Sequence, residues 1–239
     1  MVGAFDLETV RPLVETYLGG LPTGDREESW RDLGVRKPEG VVERTVEMGI
    51  EAKSRVQLIF SGPFEQDVQN RYDLQSMVTL LQIRLRERLR EDMGGTYGVS
   101  VRGSNSWDPI EQYQVGVSFE CEPSNVEPLT EAVFEEIGRL GSEGASELDL
   151  TKIKEQQRRA RETSLRTNGF WLSILSYAEQ HETDPLSVLA FEERVEGLTS
   201  ESIREAAVQY LNVENYIRVV LMPGPQAEEE AKEGDEGRQ

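Results

Sequence analysis

Phe64–Tyr97, FEQDVQNRYDLQSMVTLLQIRLRERLREDMGGTY, is the longest segment of the chain with one sustained periodicity. Leu74, Val78, Leu81, Leu85 and Leu89 recur at three- and four-residue spacing, and Met77 and Leu80 widen the stripe to the breadth of a core-facing helix surface. The spacing predicts one long buried helix. On its other faces Arg84, Arg86, Arg88 and Arg90 alternate, which places the like-charge pairs Arg84/Arg88 and Arg86/Arg90 one turn apart, at a cost of a few tenths of a kcal/mol (order of magnitude) each. Two readings follow. In one, Glu87, Glu91, Asp92 and the helix dipole compensate a solvated face; in the other, one arginine is held out at the helix end for use on a substrate. Gly94-Gly95 stops the helix, since glycine takes the left-handed terminal position without penalty. Tyr97 then opens a β-rich run, so Arg90 and Tyr97 are expected to emerge side by side from one rigid corner.

On either side of this helix the pattern changes repeatedly. Asp6 is a good N-cap for a helix carrying Leu7, Val10, Leu13, Val14, Tyr17 and Leu18 on one face, ended by Gly19-Gly20 and Pro22. Val2-Gly3-Ala4-Phe5 resembles the tail of a strand, which suggests a fragment of a longer protein with Met1 added. Thr23–Gly40 is polar and glycine-interspersed and reads as a linker that packs Trp30 and Leu33 against a neighbour. Val41–Val46 and Arg55–Phe60 read as strands. Beyond Tyr97, Val99 and Val101 alternate with polar residues, Asn105–Pro109 forms a loop, and Tyr113, Val115, Val117 and Phe119 alternate cleanly in an antiparallel partner strand.

The second half is mostly helical. Val126, Leu129, Val133, Phe134 and Ile137 share a helix face that Gly141–Ala145 breaks. Ser146 with Asp149 resembles a capping box and opens a charged helix that Thr167-Asn168-Gly169 bends or interrupts. Asp184-Pro185 restarts a short helix, Thr199 caps another, and Tyr216–Met222 is a last strand. The order implies an α+β fold, a mainly antiparallel sheet with helices packed on one face. The divisions are 1–22, the strand end and helix of a preceding unit; 23–40, a linker; 41–223, the principal domain; and 224–239, a Glu-rich tail without apolar periodicity, read as disordered.

The chain has 239 residues, is 30% charged, and carries a net charge of −19. Such a surface repels nucleic acid, whose binding needs clustered Lys and Arg, and anionic membrane faces. No run approaches the ~18 apolar residues of a membrane span, and no basic and apolar leader follows Met1. Cys121 is the only cysteine; it allows no internal disulfide and reads as a small strand-end hydrophobe. The single histidine and the lack of G-x-S-x-G remove support for a serine triad, and Cys121 lacks a plausible base. Gly94–Gly98 has neither a phosphate-loop lysine nor dinucleotide spacing, and it ends a helix rather than beginning one.

Leu89-Arg90-Glu91-Asp92-Met93-Gly94-Gly95-Thr96-Tyr97-Gly98-Val99 resembles the signature of the C-terminal half of pitrilysin-type zinc peptidases, in which an Arg and a Tyr have this separation. Ser61-Gly62-Pro63, Ser164-Leu165-Arg166-Thr167-Asn168-Gly169 and Tyr17-Leu18-Gly19-Gly20-Leu21-Pro22 extend the resemblance over nearly the whole chain outside the tail. The resemblance implies the same α+β architecture and a new folding unit starting near Val41. It implies that zinc is held elsewhere: these enzymes bind it on a helix bearing H-x-x-E-H, whereas His181 stands alone in Glu179-Gln180-His181-Glu182 and reads as a surface or structural residue, so no metal site is expected here.

It also implies a division of labour. The parent protein hydrolyses peptides, this chain alone is inactive, and its partner is an N-terminal catalytic half of the same protein or a separate subunit. The two halves close around a chamber, in which Tyr97 and Arg90 contact the substrate carbonyls and Gly94, Gly95 and Thr96 line the substrate. A periplasmic or otherwise exported parent is implied as well. Relatives that have lost the zinc motif leave an alternative, a noncatalytic peptide-binding or assembly subunit. H-x-x-E-H upstream of Val2 would separate the two.

Overall fold

The computed structural model describes residues 1–22, 24, 29 and 31–225, with Tyr97 described by its backbone. These form two compact units, Gly34–Lys154 with Glu196 onward, and Met1–Leu33 with Glu155–Val195.

The larger unit is built on a sheet of β1 (Val41–Glu47), β2 (Ser54–Pro63), β3 (Thr96–Ser106), β4 (Gln112–Cys121) and β5 (Tyr216–Met222), in the order β1-β5-β2-β4-β3. β2 pairs antiparallel with β4 and β5, and β3 with β4; only β1 and β5 run parallel. The sheet is therefore mainly antiparallel, as the sequence pattern implies. Alternation explains its burial: Val56, Leu58 and Phe60 on β2 and Val115, Val117 and Phe119 on β4 are inside, while Arg55 and Gln57, on the opposite face of β2, are exposed.

Three helices supply the other half of this core: α2 (Val68–Leu85), α3 (Val126–Glu143) and α7 (Ser200–Tyr210). Leu74, Met77, Leu80, Leu81 and Leu85 of α2 are wholly buried, as the apolar stripe predicts, and pack with Leu129, Val133 and Ile137 of α3 and Ile203 and Tyr210 of α7. The starts of α2 and α7 are chemically defined. Asp67 accepts the N–H groups of Gln69 and Asn70 at 2.6 and 3.2 Å. Thr199 and Ser202 cap α7 reciprocally. α4 (Glu147–Ser164) opens on the expected capping box, in which the Ser146 N–H and hydroxyl both donate to Asp149 while Ser146 Oγ accepts the Asp149 N–H. α3 ends later than its sequence suggests, since Gly141 stays helical and the break falls at Gly144, whose φ of 70° with ψ of −147° is a positive-φ conformation open essentially to glycine alone.

In the smaller unit α1 (Leu7–Tyr17) is capped by Asp6 but buries none of its residues. α5 (Asn168–Gln180) starts on the Thr167 hydroxyl, so Thr167-Asn168-Gly169 interrupts the preceding helix outright. A 3-10 turn, Pro185–Ala190, leads into α6 (Phe191–Gly197). The Arg161 guanidinium lies over the rings of Phe170 and Phe191, 4.6 and 5.0 Å from their centroids, and donates to Val188 O at 2.8 Å.

Three expectations need correction or placement. Val2–Phe5 forms no strand among the described residues. Leu33 does not pack inward but is 75% exposed, and Trp30 lies outside the described residues. Of the tail expected to be disordered, 224–239, residues 226–239 also lie outside them; the Gly224 N–H donates to Gly49 O.

Candidate functional site

The long helix does not stay α-helical to its end. After Leu85 the chain continues as a π-helix, Arg86–Asp92, and the Met93 N–H reaches Arg88 O at 3.1 Å. Such π turns are uncommon, and many mark functional sites. Leu89 remains fully buried within the turn, so the segment is anchored while its other side chains face out.

The four arginines separate into different roles. Arg84 is inside, its side chain 14% exposed, held by Glu136 at 3.3 Å, Asp149 at 2.8 Å and the Gly144 carbonyl at 2.9 Å. It ties α2 to α3 and α4. Burial alone would raise the Asp149 carboxyl, but hydrogen bonds from Arg84 and Ser146 outweigh it and hold that group below its usual value. Arg88 pairs with Glu135 of α3 at 3.2 Å, and Glu87 with Lys152 of α4 at 3.1 Å. Compensation thus comes from neighbouring helices rather than from within this one. Arg86 and Arg90 are exposed and have no ion-pair or hydrogen-bond partner among the described residues.

The corner after Arg90 is fixed residue by residue. Gly94 has φ 61°, the left-handed position that ends the helix. The Gly95 N–H donates back to Leu89 O at 3.2 Å, and a Cβ at Gly95 would sit 2.9 Å from Leu129 Cδ2, so the corner packs directly on α3. Thr96 pairs with Cys121 and Gly98 with Glu120, which makes Tyr97 the extra residue of a β-bulge. The Thr96 hydroxyl clamps that bulge, donating to Glu120 O at 2.6 Å and accepting the Gly98 N–H at 3.1 Å. Helix end, left-handed glycine, close-packed glycine and clamped bulge form one piece carrying Arg90 on one arm and Tyr97 on the other.

Beside the bulge lies a shallow depression of about 330 Å³, lined by Arg55, Gly98, Val99, Ser100, Ser118, Phe119 and Glu120. A larger groove of about 630 Å³ at the Pro63 end of β2 is bordered by Lys37, Glu39, Gly62, Glu111 and Asn215. His181 is the C-cap of α5 and stacks near Tyr177, with ring centroids 4.6 Å apart. Among the described residues no three His, Cys, Asp or Glu side chains gather in a group suited to a metal ion, so the described side chains do not fit a resident zinc.

Residues 1–157 match the family model of the peptidase M16 inactive domain. A "Zinc protease PQQL-like" protein of Arabidopsis thaliana is 25% identical over 251 residues, which cover 93% of this chain and 26% of the relative. Among solved structures, the periplasmic protease PqqL of Escherichia coli superposes with a TM-score of 0.76 at 22% identity, over 92% of this chain and 24% of PqqL. A variant of the ferredoxin protease FusC, solved in complex with Arabidopsis ferredoxin, gives the same TM-score at 20% identity, over 92% and 24%. A protease from Helicobacter pylori reaches 0.78 at 16% identity, over 93% and 54%. The chain thus spans about a quarter of the Arabidopsis relative and of PqqL. By the match over most of its length and by its shared fold, the chain belongs to the family of peptidase M16 inactive domains.

Proposed function

We propose that this chain is the zinc-free closing domain of a zinc protease, and that its Arg90–Tyr97 corner contacts the peptide being cleaved. The observation that carries this reading is the corner itself. A π turn is uncommon and recurs at functional sites, as β-bulges do, and here the two adjoin one another through the left-handed Gly94, with Arg90 in the π turn and Tyr97 at the bulge. Arg84 and Arg88 are consumed by acidic partners; Arg90 is not.

The chemistry fits the residue types. Peptide hydrolysis develops negative charge on the scissile carbonyl, and a positioned tyrosine hydroxyl stabilises it. A guanidinium presents several donors to substrate backbone carbonyls. Gly94, Gly95 and Thr96 supply the rigid floor along which the peptide lies. Zinc belongs to an N-terminal catalytic half, in the same protein or in a separate subunit, and 1–22 and 23–40 are the end of a preceding unit and the linker into 41–223. Export of the parent is supported by the periplasmic PqqL likeness.

Reconstitution tests the proposal. The purified chain, loaded with zinc and stripped of loosely held metal, is expected to retain essentially none. Mixed with the separately expressed catalytic half, it restores peptide hydrolysis, and its Arg90→Ala form restores far less. Tightly held zinc near one per chain, or equal restoration by both forms, would overturn the reading.

A further inference from the structure

We infer that Gln82 is a positioning residue that locks the Tyr97 strand to the Arg90 helix. The inference rests on the function proposed for that corner. β3 is an edge of the sheet, with β4 on one side only, so alternate backbone groups along it lack a strand partner. α2 and the residues just before it run beside this edge and supply missing partners through glutamines. Gln82 Nε2 donates to Val99 O at 3.0 Å, and Gln82 Oε1 accepts the Val101 N–H at 2.6 Å. One side-chain amide thereby replaces one residue of an absent neighbouring strand. Further along, Gln75 Nε2 donates to Gly103 O at 3.1 Å, and Gln66 Nε2 to Ser106 O at 2.7 Å. The close approach is possible because Gly103 has no side chain: a Cβ there would lie 2.8 Å from Val78 Cγ2.

Of the three, Gln82 brackets the corner most tightly. It lies on the last turns of α2 before Arg90, and its two bonds reach the strand just beyond Tyr97. Both arms of the corner are thereby held to each other on the side away from the Gly94–Thr96 turn. Gln75 makes a single bond farther from the corner and serves as the internal control.

The test uses the whole protease. Gln82→Met keeps length and packing but loses both bonds. It is expected to lower kcat for a peptide by about tenfold or more, since misplacement on the scale of an ångström carries such penalties, with KM little changed and faster amide exchange at Val101. Gln82→Glu, which retains the acceptor for the Val101 N–H, recovers that protection and part of kcat. Gln75→Met leaves kcat near wild type. Wild-type kcat in Gln82→Met, while Tyr97→Phe is impaired, would overturn the inference and leave the proposed function standing. Equal losses in Gln75→Met and Gln82→Met would also overturn it, as general loosening of the edge. Wild-type turnover in Tyr97→Phe would overturn both, whatever the Gln82 variants do.

Discussion

Arg84→Met tests how the corner is anchored. The guanidinium is shared by Glu136, whose side chain is 4% exposed, Asp149, at 12%, and the Gly144 carbonyl. Methionine fills most of the volume and removes the charge, leaving two carboxylates in a largely dry site. Breaking a buried pair from one side costs about 3–5 kcal/mol. Here Arg139 remains 3.3 Å from Glu136, and Ser146 still donates to Asp149, so about 3 kcal/mol, the low end, is expected. For a chain of this size that lowers Tm by about 6–12 °C. Urea unfolding at neutral pH, with an unchanged slope and a lowered midpoint, measures it directly. Because most of the cost is stranded charge, Arg84→Met/Glu136→Leu should be more stable than Arg84→Met alone. A loss below about 1 kcal/mol, typical of an exposed ion pair, or a double variant weaker than the single, would refute the assignment of Arg84 as a buried clamp.

The same network fixes an acid dependence. The folded Asp149 carboxyl lies below its ordinary value of 3.8, so its contribution is complete above that pH and is lost as pH falls through the lower folded value. Urea midpoints followed from about pH 5 to about pH 2 should fall less steeply in Arg84→Met than in wild type. Two glycines should respond in opposite directions. Gly94→Ala places a side chain at φ 61° and should cost about 1 kcal/mol, whereas Gly138→Ala, inside α3 with open space at its Cβ, should stabilise by about 0.5–1 kcal/mol; thermal melts of both check the contrast. Burial, and then the Glu122 charge, push the Cys121 thiol up to about 11. A maleimide at neutral pH should label it far more slowly in the folded chain than in urea, and equal rates would contradict its burial.

Much of the fold was legible because one face of most elements meets water. Tyr113, Val115, Val117 and Phe119 alternate, and the α2 stripe is periodic, for that reason. Ser146 and Asp149 are close in sequence, so their capping box was legible too. Long-range pairings were not. Nothing local places β5 between β1 and β2, parallel to one and antiparallel to the other, and the partners of Arg84 and Arg88 lie on α3 and α4. The π turn escaped because it differs from an α-helix by less than one residue of spacing, within a single turn that keeps Leu85 and Leu89 inside. Gly141 and Gly144 both suit a helix end by residue type, and only the packing of α3 puts the positive-φ break at Gly144. The Thr96 clamp and the Gln82 bridge are single polar side chains in ordinary-looking positions, and only the geometry around them shows what each holds.

The most direct test of the account is the turnover of one peptide by the whole protease carrying Tyr97→Phe, with kcat and KM determined separately. A donor that acts on developing charge is worth roughly 10²–10³ in kcat, so kcat is expected to fall on that scale while KM stays near wild type. A kcat indistinguishable from wild type in a correctly folded, zinc-loaded enzyme would contradict the claim that this corner serves the cleavage reaction.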